Sequence, residues 1–104
     1  MYIMASMSYP LSSTDKVVEK YLEILPKYPP DESLGDRVVP FGSFSDENGL
    51  TTIVITDVKP GKLDDAVKRA NEVYVQFRNI EGVSYKIRVL NNAEEALEPL
   101  GIGT

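Results

Sequence analysis

The stretch LTTIVITDVKPGKLDDAVKRANEVYVQF, residues 50–77, changes its hydrophobic period midway, and that change decides the fold. Leu50 to Val58 is a β-branched run around Ile53, Val54 and Ile55, the composition of a central strand covered on both faces. Pro60-Gly61 breaks it. From Leu63 the apolar residues recur at helical spacing through Ala66, Val67, Ala70, Val73, Tyr74 and Phe77, which gathers them on one side of a helix. Asp64 and Asp65 suit the positive end of that helix, and they stand four residues before Lys68 and Arg69, the favourable order for ion pairs.

Upstream, Asp46-Glu47-Asn48-Gly49 supplies a tight turn, with Asn48-Gly49 suited to positive φ. It joins the central strand to a second one over Arg37 to Ser45. Pro40 cannot donate to a ladder, so that strand belongs at a sheet edge or a bulge. Before it, Pro26, Pro29 and Pro30 open a connection running to about Asp36, long enough for a lid, although a stiff Pro-braced elbow is the simpler expectation. The preceding helix gathers Val18, Tyr21, Leu22 and Leu25 on its buried side, with Lys16, Glu19, Lys20 and Glu23 outside and Ser12, Ser13 or Thr14 as caps. Tyr2 to Tyr9 alternates as a first strand, sending Ile3, Ala5, Met7 and Tyr9 one way. Downstream, Gly82 ends the second helix, and Ser84 to Leu90 is a fourth strand with Tyr85, Ile87 and Val89 on one face. Asn91 or Asn92 caps a last short turn through Glu94, Glu95 and Leu97 before Pro99.

The resulting order predicts a split β-α-β-β-α-β sandwich: an α+β domain with a four-stranded antiparallel sheet and two helices on one face. Its 104 residues suit a single domain, 1–104. Such a fold hosts enzymes, ligand sensors, RNA binders and dimerisation modules, so function must come from particular residues. The chain has no Cys and no His, which excludes disulfides, thiolate metal sites, thiol nucleophiles and an imidazole base. Asp46, Glu47 and Asn48 are oxygen-rich but lack the twelve-residue calcium loop, so neither metal nor cofactor is expected. A net charge of -5 opposes binding to nucleic-acid phosphates, and the third strand has neither the aromatic nor the basic residues of an RNA platform. The loop after the first strand, Tyr9-Pro10-Leu11-Ser12, holds no Arg to cradle a phosphate in the manner of an acylphosphatase. No basic leader and no apolar run near 20 residues is present, so a cytoplasmic protein without a membrane partner is expected.

The helix-covered sheet face is assigned to Ile3, Ala5, Met7, Ile53, Ile55, Tyr85, Ile87 and Val89. The other face then carries Tyr2, Met4, Ser6, Ser8, Thr52, Val54, Thr56, Lys86, Arg88, Leu90 and Phe44, too apolar to stand in water uncovered. In element order and in this second face, the chain resembles the dimeric α+β barrel superfamily, whose ferredoxin-like sheets pack face to face. Its closing Glu94-Glu95-Ala96-Leu97 is similar to the last segment of some uncharacterised members. The resemblance implies a homodimer, or a higher even oligomer, with Met4, Ser6, Phe44, Val54, Lys86 and Arg88 at the interface. It carries no functional residue over, because this chain lacks the His and Trp that the superfamily's haem-degrading enzymes and monooxygenases use.

Tyr9, Tyr21, Phe41, Tyr74 and Phe77 are the candidate lining of a ligand pocket between helices and sheet, against the plainer expectation that they fill the core. For catalysis, only Arg88, Lys86 and Asp57 with Tyr9, Tyr74 and Tyr85 offer acid, base or electrophile, and no catalytic residue is assigned. Arg88 is expected to pair with Asp57 or across the dimer. The function expected is a non-catalytic homodimeric module that binds a small molecule. The alternative is a small cofactor-free oxygenase or isomerase on the same scaffold.

Overall fold

The computed structural model describes residues 1–101. β1 occupies Tyr2–Tyr9 and buries every second residue, Ile3, Ala5, Met7 and Tyr9. It is followed by α1 (Thr14–Ile24), β2 (Gly35–Asp46), β3 (Gly49–Val58), α2 (Leu63–Tyr74), β4 (Ser84–Leu90) and a short α3 (Ala93–Leu97). The strands form one antiparallel sheet in the order β2-β3-β1-β4, the ferredoxin-like α+β arrangement. α1 and α2 share one face of it. Val17 and Ile24 of α1 pack with Met7 and Tyr9 of β1, while Ala66 of α2 packs with Ile3 and Val58. Phe77, in a 3-10 turn that extends α2, is 2% exposed and anchors the larger cluster.

The faces of β3 are the reverse of those expected from the sequence. Ala5 stands opposite Val54, Ile3 opposite Thr56 and Met7 opposite Thr52, so Thr52, Val54 and Thr56 lie under the helices. Ile53 and Ile55, opposite Ser6 and Met4, lie on the far face. Both phases of this strand are β-branched, so neither side chains nor propensity distinguish them; the pairing with β1 does. Val54 is therefore not on the far face with Met4, Ser6, Phe44, Lys86 and Arg88, whose register places them there.

α1 is also turned from its expected orientation. Its buried residues are Val17 and Ile24, whereas Val18, Tyr21, Leu22 and Leu25 are exposed, Leu22 by 62%. The difference corresponds to about 100°, one residue of helical rotation. Ser13 does not cap α1. Its hydroxyl donates instead to the Glu81 carbonyl at 2.6 Å, tying the helix start to the turn before β4, and Thr14 donates to Leu11 at 2.7 Å. At the hairpin only Gly49 adopts positive φ, at 127°; Asn48 does not, and its N–H donates to the Asp46 carboxylate at 2.8 Å. Among the described residues neither Asp64 with Lys68 nor Asp65 with Arg69 closes to an ion pair, and Arg88 does not reach Asp57.

β2 is an edge strand, as Pro40 requires, and two register shifts interrupt its pairing, between Arg37 and Val39 and between Val39 and Gly42. An edge strand can absorb such bulges because its outer backbone groups are solvated. Their effect is to re-phase the strand. Arg37, opposite Thr56, faces the helices, whereas Val39, opposite Ile55, faces away. At the other end Asn92 caps α3 in a reciprocal box with Glu95, as Asn at that position suggests. The Asn92 N–H and then the chain's amino terminus hold the Glu95 carboxyl below the usual carboxylate range.

Candidate functional site

The rotation of α1 leaves a cleft between that helix and the β2–β3 half of the sheet. Thr52, Val54 and Thr56 of β3 form its floor and Arg37 and Phe41 of β2 its outer edge. Val18, Tyr21 and Leu25 of α1 overhang it, and Arg69, Val73 and Tyr74 of α2 close the inner side. Its volume is about 540 Å³, within the range of about 300 to 1,000 Å³ usual for small-molecule sites. The overhanging residues are not core. Val18 is 48% exposed and Phe41 59%, so apolar side chains project into a space that no part of the described chain fills.

Tyr9, Tyr21, Phe41, Tyr74 and Phe77 all border this cleft. Tyr9 and Phe77 are buried beneath it, while Tyr21 and Phe41 are open to it. Tyr74 stands between, its ring stacked on Tyr85 with centroids 5.9 Å apart and tilted against Phe77 at 6.3 Å. Burial pushes the Tyr74 hydroxyl above its ordinary 10.0, a rise opposed by the Arg37 charge and supported by Tyr21. The hydroxyl is thus a neutral donor at physiological pH.

The charged groups divide differently from the sequence expectation. Lys86, Arg88 and Asp57 stand on the far sheet face by register, separated from the tyrosines by the sheet itself. Arg37 and Arg69 border the cleft instead. Arg69 is legible only as a helical pairing partner for Asp65. In the fold it donates to the Pro29 carbonyl at 2.9 Å and lies 5.1 Å from the Tyr28 ring centroid, bracing the Pro-rich connection against α2. That connection forms the end wall of the cleft through Tyr28 to Glu32. It is stiffened by Asp31, whose carboxylate accepts from both the hydroxyl and the N–H of Ser33 and is held below its usual range by them. Among the described residues no cluster of three acidic side chains is suited to a metal, and no helix is long and apolar enough to cross a membrane.

No protein-family model matches the chain, and no curated protein matches its sequence. Solved structures of similar shape include a formyltetrahydrofolate deformylase from Pseudomonas putida KT2440, at 15% identity and a TM-score of 0.47 over 88% of this chain. The match spans 29% of the deformylase. A NIPSNAP family protein of unknown function from Agrobacterium tumefaciens matches at 19% identity and a TM-score of 0.39, over 89% of this chain and 90% of that one. A hypothetical protein from Methanocaldococcus jannascii matches at 20% identity and a TM-score of 0.31, over 96% of each. These likenesses carry no functional argument, and the fold assignment stands on the strand order and register.

Proposed function

We propose that the protein is a non-catalytic homodimeric module that binds a small molecule in the cleft between helices and sheet. The observation that carries this reading is the apolar side of α1 standing open over the β2–β3 floor: Val18, Tyr21 and Leu25 border a cavity of about 540 Å³ instead of a packed core. Leaving such surface in water is unfavourable by about 25 cal/mol per Å² of apolar area, which a bound apolar body recovers. The dimer half of the reading is supported by the far sheet face. It carries Met4, Ile53, Ile55, Val39 and Phe44 and has no helix of the α1–α2 layer over it.

Binding without catalysis is supported by the segregation of chemistry. Lys86, Arg88 and Asp57 stand across the sheet from the tyrosines, so they cannot act with Tyr74 on one bound molecule. Native mass spectrometry of the purified protein tests the reading. The expected result is a dimer mass carrying a small molecule that is released unchanged after prolonged incubation in air. Conversion of that molecule by the protein would replace this reading with the cofactor-free oxygenase or isomerase. A ligand-free protein that also fails to bind apolar dyes in the cleft would remove both.

A further inference from the structure

The cleft holds one uncommitted cation. Of the two guanidinium groups that border it, Arg69 is engaged with the Pro29 carbonyl and the Tyr28 ring. The Arg37 side chain, at an exposed position of the β2 edge, makes no hydrogen bond or ion pair among the described residues, although Asp31, Glu32 and Asp36 border the same cleft. Each of those carboxylates has a reason to leave it alone. Asp31 is turned onto Ser33, Glu32 sits exposed in the loop, and Asp36 stands in register with Asp57, on the phase of β2 that faces away from the helices. The bulge that follows Arg37 is what permits this arrangement, because it lets Arg37 face the cleft while Val39 faces away.

The floor and overhang contain no carboxylate. Thr52, Val54, Thr56, Val18, Tyr21 and Leu25 are all neutral. A bound molecule therefore meets apolar surface over most of its area and a single free guanidinium at the β2 edge. The Tyr74 hydroxyl, its pKa raised by burial against the opposing Arg37 charge, adds a group able to donate on the inner side. The guanidinium can only donate, and the hydroxyls of Tyr74, Tyr21, Thr52 and Thr56 can turn to donate as well, which matches an acceptor that carries negative charge.

From this arrangement we infer that the cleft takes an amphipathic monoanion, a compact apolar or aromatic body bearing one carboxylate or sulfonate that pairs with Arg37. The inference rests on the cleft being a ligand site. A dianion is disfavoured because three carboxylates border the cleft and only one cation is free. A cation is matched less well, because the floor is neutral and, of the three bordering carboxylates, Asp31 is engaged by Ser33 and Asp36 stands on the phase of β2 that faces away.

The test uses two fluorescent probes of similar body, 8-anilinonaphthalene-1-sulfonate, which is anionic, and N-phenyl-1-naphthylamine, which is neutral. The full chain is titrated with each, and so is Val18→Trp, which at this exposed position over the cleft is designed to fill part of it. The expected result is that both probes bind, Val18→Trp weakens both, and the anionic probe binds about tenfold tighter, equivalent to about 1.4 kcal/mol. Arg37→Gln should erase that preference while leaving the neutral probe unchanged, and Arg37→Lys should restore part of it. Circular dichroism on each variant confirms that the fold is kept. Equal binding of the two probes, or a preference that survives Arg37→Gln, overturns the anion inference while the cleft reading stands. Absence of binding, or binding indifferent to Val18→Trp, overturns both.

Discussion

Ile55 and Val54 are neighbours in the chain that face opposite sides of the sheet, so the same substitution at each separates the two halves of the proposed function. Ile55 lies between Met4 of β1 and Val39 of β2, near the middle of the far face. Four strands about 4.8 Å apart and eight residues long at about 3.4 Å each give a footprint of roughly 500 Å². Side-chain relief raises the accessible area of such a face toward the roughly 800 Å² per partner of a standard interface. In a two-fold dimer Ile55→Lys places two unpaired charges in that interface. A fully buried charge without a partner costs about 3 to 5 kcal/mol, and escape of the long Lys stem toward the rim recovers part of it. Even a net cost of about 3 kcal/mol for the pair weakens the dimer about a hundredfold. Static light scattering at tens of micromolar should therefore report a dimer for the native chain and a monomer for Ile55→Lys. Val54→Lys, whose side chain enters the cleft, should remain dimeric and lose probe binding. A native chain that is monomeric under these conditions refutes the reasoning, as does a Val54→Lys variant that dissociates.

Phe77→Ala removes the most buried large side chain from its cluster with Met7, Tyr9, Val17 and Ile24 and should cost about 3 to 5 kcal/mol in urea denaturation; a loss under about 1 kcal/mol would contradict the packing. Gly49→Ala forces an L side chain to a φ of 127° and drives its Cβ onto the Tyr9 carbonyl oxygen, for a predicted loss of about 1 to 3 kcal/mol, whereas a neutral outcome would mean the hairpin is built differently. Tyr74, raised above 10.0 by burial, favours folding while protonated. That contribution is complete below the unfolded-chain value and is lost as pH rises through the higher folded value, so stability relative to Tyr74→Phe should fall above about pH 10. An ultraviolet titration in which the variant loses a tyrosine of ordinary midpoint, and not the highest one, would show that Tyr74 is solvated.

The amino-acid sequence determined every element whose signal is local. β1 and β4 are legible to the residue because apolar and other side chains alternate there with contrast, and α2 because its apolar residues repeat at one clear phase. The Asn92 cap and the edge position of β2 follow from single residues with one physical role each. Orientation was legible only where the two candidate phases differ in polarity. In α1, Val17-Val18 and Ile24-Leu25 make the apolar arc broad enough to dock at either of two rotations, and the packing of Val17 and Ile24 on β1 selects one. In β3 both phases are β-branched, and only hydrogen-bonded register with β1 turns Val54 inward and Ile55 outward. The cleft inherits both choices. Its tyrosines could be named from composition, but Arg37 could not, because its direction depends on a bulge opposite another strand, and such a non-local pairing leaves no mark in the residues beside it.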